Sequence, residues 1–261
     1  MNERNRVSRR SFLAGCAVIA TEVLYPLEAM GAGSEKPVRI AFLGDSMSDG
    51  IWSGLVRLTS KEACLKDRFT LGRYGENGTG FTRSDKFDWP TETKVIIEEF
   101  HPDLIVVSMG LNDAQSIVER SKARTDYGKP AWSKKYEDIV AEFLASASAA
   151  PAGVLWVGNP VLRDKTSQSA AQERNRLYSD AIAGFGNPKV FYVKPWQLNA
   201  AGDDSFQAYG PDPNGSRAQI RAADGVHFTS LGYDLVGAYL MPIILDHLRK
   251  SEIDIVYPCV K

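Results

Sequence analysis

Histidine and cysteine are scarce in this 261-residue chain, with three of each, and the formal net charge is only −1. Each scarcity narrows the reading. A nearly neutral chain offers no basic surface for a nucleic-acid backbone, so no nucleic-acid partner is expected. Three histidines leave few choices for a general base. Internal repeats and low-complexity linkers are absent, and no apolar stretch of membrane length follows the N-terminal one. That first stretch is itself interrupted by Gly15, Thr21, Glu22 and Pro26, which leaves it short of the roughly 20 apolar residues that a span requires.

What the N-terminus does carry is Ser8-Arg9-Arg10-Ser11-Phe12-Leu13, an apolar run to Leu24 and small residues around Ala29-Met30-Gly31. This is the pattern of a twin-arginine signal peptide over residues 1–31, ahead of a folded domain over 37–261. The expected destination is periplasmic or secreted, with the twin-arginine machinery as an export partner. Leu13-Ala14-Gly15-Cys16 looks like a lipoprotein box but precedes most of the hydrophobic region. Removing residues 1–31 takes away four arginines and three acidic residues, which moves the formal charge from −1 to −2. Cys64 and Cys259 remain, and an oxidising compartment permits a disulfide or two buried thiols.

With 44% hydrophobic residues, the remaining chain is long enough for one sizeable core. Strand-like runs fall at 38–43, 104–108, 154–157 and 190–193, with a weaker one at 68–71. Helical periodicity falls at 48–59, 91–100, 133–149, 170–184 and 230–250. This alternation predicts a three-layer α/β/α sandwich with a five-stranded parallel sheet and right-handed crossovers. In such sheets sites form beyond the carboxyl ends of the strands, so Ser46 after the first strand and Asn112 after the third are expected to converge. Ser46 is also expected near a helix N-terminus, where free N–H groups favour negative charge.

Three motifs supply the chemistry: Gly44-Asp45-Ser46-Met47-Ser48, Gly110-Leu111-Asn112-Asp113 and Asp224-Gly225-Val226-His227. A serine attacking an acyl carbon needs a base, a carboxylate to orient that base, and donors where the oxyanion develops. Ser46, His227, Asp224 and Asn112 are candidates for these parts. Among the histidines, His101 precedes Pro102 at the far end of a strand and His247 lies in the last helix, so both are read as structural or solvated. Ser48 stands where an α/β-hydrolase elbow has its second glycine, which counts against that elbow. Alone, Gly-Asp-Ser reads as a helix cap, Asn112 as a turn residue, and the Asp224-His227 pair as a loop cap with an incidental histidine.

Taken together, in this order and spacing, the motifs resemble the SGNH (GDSL-type) hydrolase superfamily. Within it the chain is similar to an exported bacterial subgroup through Phe87-Asp88-Trp89-Pro90 and Trp156-Val157-Gly158-Asn159-Pro160. The resemblance implies an SGNH/flavodoxin-like fold, with Ser46, Asp224 and His227 as the catalytic set. It implies an oxyanion hole made by the Ser46 and Gly80 N–H groups and the Asn112 amide. In 77–82 both Gly78 and Gly80 are candidates, and Gly80-Phe81-Thr82 fits the register better.

The implied activity is ester hydrolysis through an acyl-enzyme, on O-acyl and especially O-acetyl groups of an envelope or exopolysaccharide carbohydrate. Two alternatives accompany it: transfer of the acyl group in exopolysaccharide acylation, and a non-catalytic carbohydrate-binding role. The expected ligand is an acylated carbohydrate or small ester. Most of the tryptophans are expected in the core, Trp52 and Trp132 near motif ends are the candidates for sugar stacking, and 199–223 reads as a loop beside the site. Asp203, Asp204 and Asp212 do not match a calcium loop, so no metal or other cofactor is expected.

Overall fold

The computed structural model describes residues 36–194 and 205–253. The proposed signal peptide, Trp196, Cys259 and the first part of the 199–223 loop lie outside these residues. Cys64 is disulfide-bonded, and the other two cysteines also lie outside the described residues.

Five strands form the central sheet: β1 (Val38–Gly44), β2 (Phe69–Gly75), β3 (Leu104–Ser108), β6 (Val154–Val157) and β7 (Val190–Val193). Two short hairpins interrupt the series: β4 (Ile117–Val118) with β5 (Arg124–Thr125), and β8 (Tyr209–Pro211) with β9 (Arg217–Gln219). The sheet order is β2-β1-β3-β6-β7, and every pairing in it is parallel. Between the strands run α1 (Ser46–Lys61), α2 (Trp89–Phe100), α3 (Pro130–Ala147) and α4 (Lys165–Phe185), and α5 (Ser230–Lys250) closes the domain. The expected three-layer α/β/α sandwich is the observed architecture.

Strand alternation divides the core in two. Val38, Ile40, Phe42, Leu104 and Val106 face one side and pack on Met47, Ile51 and Leu55 of α1 and on Val236, Leu240 and Ile244 of α5. Ala41, Leu43, Ile105, Val107 and Trp156 face the other side, against Ile96 of α2, Tyr136 and Phe143 of α3, and Tyr178 of α4. Because both faces are covered, the central strands read as continuous apolar runs.

Helix starts are set by caps more than by apolar period. The Asp45 carboxylate accepts the Met47 N–H at 2.9 Å, so α1 begins at Ser46 rather than at 48. Pro130 starts α3 three residues before the expected point, its fixed φ suiting a first helical position. Asp164 caps α4 through the Ser167 N–H, so the helix begins at Lys165, five residues ahead of the apolar period. Among the described residues, no helix is long and apolar enough to cross a membrane.

Candidate active site

The site assembles at the carboxyl ends of β1 and β3. Gly44, the last residue of β1, takes φ +138°, and a Cβ there would stand 2.0 Å from the Ser108 carbonyl oxygen. Only glycine lets the two strand ends approach this closely. The next residue, Asp45, is fully buried, and its carboxylate accepts the Met47 N–H at 2.9 Å and the Gly110 N–H at 3.1 Å. Ser46 then opens α1 in its first turn.

Ser46 Oγ lies 2.7 Å from His227 Nε2, and His227 Nδ1 lies 2.6 Å from Asp224 Oδ2. The second Asp224 oxygen accepts the backbone N–H groups of Val226 at 2.8 Å and His227 at 3.0 Å. With the Nδ1 proton held by Asp224, the Nε2 lone pair faces the serine hydroxyl. Partial burial works against ionisation of Asp224. The His227 ring and the two N–H groups outweigh it and hold the carboxyl at about 2. Asp224 is therefore ionised at any neutral pH. Stability tied to this low value is present above about pH 4 and is lost as pH falls toward 2.

Asn112 stands beside the serine from the β3 side. Its Nδ2 donates to the Thr79 carbonyl at 2.9 Å and makes a long 3.4 Å contact with Asp45 Oδ2. Among the described residues, neither the Ser46 nor the Gly80 N–H has an acceptor. Gly80 is buried, and a Cβ on it would stand 2.2 Å from Asp113 Oδ1. Gly78 is exposed at φ +76°, with nothing within 4 Å of such a Cβ. The structure thus makes Gly80, and not Gly78, the glycine packed against the Asn112 segment.

That packing centres on Asp113, which carried no expected role of its own. Its carboxylate accepts the Phe81 and Thr82 N–H groups at 3.1 Å each, Thr82 Oγ1 at 2.8 Å and the Tyr136 hydroxyl at 2.8 Å. Tyr136 in turn lies 2.6 Å from the Tyr178 hydroxyl. Burial raises both phenols well above their ordinary pKa, so they remain neutral donors.

Other expected residues fall elsewhere. Trp132 is 1% exposed, stacked on Tyr136 with its ring nitrogen donating to the Gln115 carbonyl, so it is core and offers no stacking face. Trp52 donates to the Leu71 carbonyl and lies under Arg73. His101 caps the end of α2 in a left-handed conformation, and buried His247 bonds the Ala152 carbonyl. The described part of the 199–223 loop forms the β8–β9 hairpin, and Phe206 leads into it.

A family model described as "Protein of unknown function (DUF459)" matches residues 39–243. No curated protein matches the chain significantly. Among solved structures, a GDSL-like lipase from Bacteroides thetaiotaomicron is 20% identical with a TM-score of 0.52, over 79% of this chain and 87% of that one. A carbohydrate esterase family 3 protein from Talaromyces cellulolyticus is 16% identical with a TM-score of 0.53, over 82% and 99%. The periplasmic domain of a lipopolysaccharide acetyltransferase from Salmonella ser. Paratyphi A is 14% identical with a TM-score of 0.54, over 80% and 84%. At these identities, what the chain shares with them is the fold.

Two stability measurements follow from the geometry. Burial, joined by the nearby Asp113 charge, pushes the Asp45 carboxyl up from 3.8 to about 7, against the N–H groups that bond it. A raised folded value means that stability falls as pH rises from about 4 through 7. The unfolding midpoint of Asp45→Asn should therefore gain on the parent across that window, and a pH-independent difference would contradict the raised value. Gly80→Ala should cost about 1–3 kcal/mol through overpacking against Asp113. Gly78→Ala should cost only about 1 kcal/mol for its positive φ. Thermal unfolding of both variants reads the contrast, and equal losses would remove Gly80 from its packed position.

Proposed function

Since the chain belongs to the DUF459 family and carries the fold of the SGNH hydrolases, we propose that it is a serine-dependent acyl esterase working through an acyl-enzyme. One observation carries this reading: a continuous chain of short hydrogen bonds from Ser46 Oγ through His227 to Asp224, 2.7 and 2.6 Å long. In the proposed mechanism Ser46 attacks the ester carbonyl while His227 Nε2 takes its proton. Ionised Asp224 holds the ring and stabilises the imidazolium that forms. The free Ser46 and Gly80 N–H groups and the Asn112 amide receive the oxyanion. Of the two Asn112 contacts, the 3.4 Å one to Asp45 is the weaker and the more readily exchanged for the oxyanion.

We propose O-acyl, foremost O-acetyl, groups of an envelope or exopolysaccharide carbohydrate as the substrate. Two neighbours in fold support that class, the carbohydrate esterase and the lipopolysaccharide acetyltransferase domain. The second of these also favours an alternative in which a sugar hydroxyl, rather than water, resolves the acyl-enzyme. Export by the twin-arginine route to the periplasm or beyond belongs to the same proposal, supported by Arg9 and Arg10 ahead of Ser11-Phe12-Leu13.

The protein should hydrolyse p-nitrophenyl acetate, and Ser46→Ala should abolish formation of the acyl-enzyme. Asn112→Ala should lower kcat by roughly a hundred- to a thousand-fold, about 3–4 kcal/mol, with KM nearly unchanged. Active-site titration with a serine-directed phosphonate separates this from misfolding. Wild-type kcat per titrated site in Asn112→Ala would remove the residue from the mechanism.

Replacing Arg9 and Arg10 by Lys should retain a tagged protein in the cytoplasm on fractionation. Unaltered export of that variant would exclude the twin-arginine route.

A further inference from the structure

Arg221 is 4% exposed, although it stands in a segment, Gly215-Ser216-Arg217-Ala218-Gln219-Ile220-Arg221, that reads as solvated loop. Its guanidinium donates to three backbone carbonyls: Nε to His227 at 3.3 Å, Nη2 to Val226 at 2.7 Å and Nη1 to Val161 at 2.7 Å. The rings of Phe206 and Phe228 lie near it, 4.9 and 4.4 Å from Cζ. Burial lowers the guanidinium from its ordinary value to about 10, which leaves it charged at neutral pH.

Among the described residues Arg221 bonds no carboxylate, and the charge of Asp224 nearby offsets the burial only in part; an apolar side chain would fill the space with less penalty. What an apolar side chain could not do is hold these three carbonyls. Two belong to the loop that carries the candidate base, and the third belongs to the segment following β6. A planar guanidinium presents its donors in a fixed fork, so it can join both segments in one geometry, whereas a lysine ammonium can reach them only as a point donor. The surrounding bonds point the same way. The Arg163 backbone N–H donates to the Gly225 carbonyl at 3.1 Å, and its Nη1 donates to the Ala223 carbonyl at 2.9 Å. The His227 carbonyl also accepts the Ala222 N–H at 2.9 Å.

We propose that Arg221 is a positioning residue for the acid–base loop. It locks the backbone of Val226 and His227 onto the segment after β6 and thereby keeps the His227 ring at hydrogen-bond distance from Ser46. The proposal rests on the reading of His227 as the base. It concerns the backbone beneath the ring, and Arg221 itself touches no reacting atom.

The test is p-nitrophenyl acetate hydrolysis by the full chain, with the parent protein, Ser46→Ala, Arg221→Lys and Arg221→Ala measured together and the folded fraction taken from thermal unfolding. Displacing a catalytic group by about 1 Å costs roughly a hundred-fold, so both Arg221 variants should lose about that much kcat, with KM within roughly twofold of the parent. Methylguanidinium at millimolar concentrations should restore a substantial part of kcat to Arg221→Ala, and methylammonium should not. A merely structural arginine would lower the melting temperature and leave kcat per folded molecule unchanged, which would overturn the proposal. Equal rescue by methylammonium would also overturn it, by reducing the role to charge. If Arg221→Ala does not fold, wild-type kcat in folded Arg221→Lys is the overturning result. An inactive parent protein would overturn the functional reading and the positioning role with it, whereas an active parent with unaffected variants overturns the positioning role alone.

Discussion

Asp45 leaves the end of β1 with no exposure to solvent and, among the described residues, no bonded cation. In place of a counter-ion it has backbone N–H groups, from Met47 on α1 and from Gly110 after β3, with the Asn112 amide at longer range. Each bond joins a different part of the site to the same carboxylate. The Met47 bond fixes the first turn of α1 and so the direction of Ser46. The Gly110 bond fixes the departure of the Asn112 segment, and the close approach of Gly44 to Ser108 brings the two strand ends near enough for one side chain to serve both. Geometry that separate loops would otherwise have to find independently is thus set at a single point in the core.

A second carboxylate repeats the device one layer out. Asp113 gathers the N–H groups of Phe81 and Thr82 and the Tyr136 hydroxyl, and in doing so draws the Gly80 turn against the Asn112 segment. Asp224 works in the opposite electrostatic sense, with its pKa held down at about 2 where that of Asp45 is pushed up to about 7. The cause is exposure. Asp45 is fully buried, so desolvation dominates, while the Asp224 side chain is 47% exposed and its bonds to His227 and the backbone prevail over a smaller penalty. One acid organises the core, and the other faces the histidine from the solvent side.

Much of this was legible in the chain. The central strands are buried on both faces, which makes their apolar runs continuous and easy to place, and the residues after the runs are where the parallel topology sends them. His227 could be singled out because histidine is scarce, and Ser46, Asn112 and Asp224 because their motifs stand in a distinctive order. Helix starts were harder, since α3 opens on Pro130 with no side-chain cap and α4 opens on a capped, polar first turn rather than an apolar stripe. Asp113 stood in plain view beside Asn112, but its partners lie 23 to 32 residues away, and no local pattern announces them. Arg221 was invisible for a related reason: an arginine among glycine, serine and alanine looks solvated until Phe206 and Phe228 are folded over it. Trp132 erred the other way, its position near a motif suggesting a surface that α3 in fact buries.

The contrast between a fixed core and an open base bears on how an acyl-enzyme would be resolved. On the proposed reading, once Ser46 is acylated its Oγ would no longer occupy His227 Nε2, and the incoming hydroxyl would bring its proton to that same nitrogen. The His227 side chain is 35% exposed, so water and a sugar hydroxyl reach it by the same open side. On the proposed reading, hydrolysis and transfer therefore use one set of catalytic distances, and the difference between them lies in how long an acceptor stays beside His227. On the same reading, that residence would depend on the surface around the Asp224–His227 loop, whose backbone carbonyls accept hydrogen bonds from Arg163 and Arg221. On that reading, changes there would alter the acceptor without disturbing Asp45, Ser46 or Asn112, so that one acyl-transfer core would serve more than one acceptor.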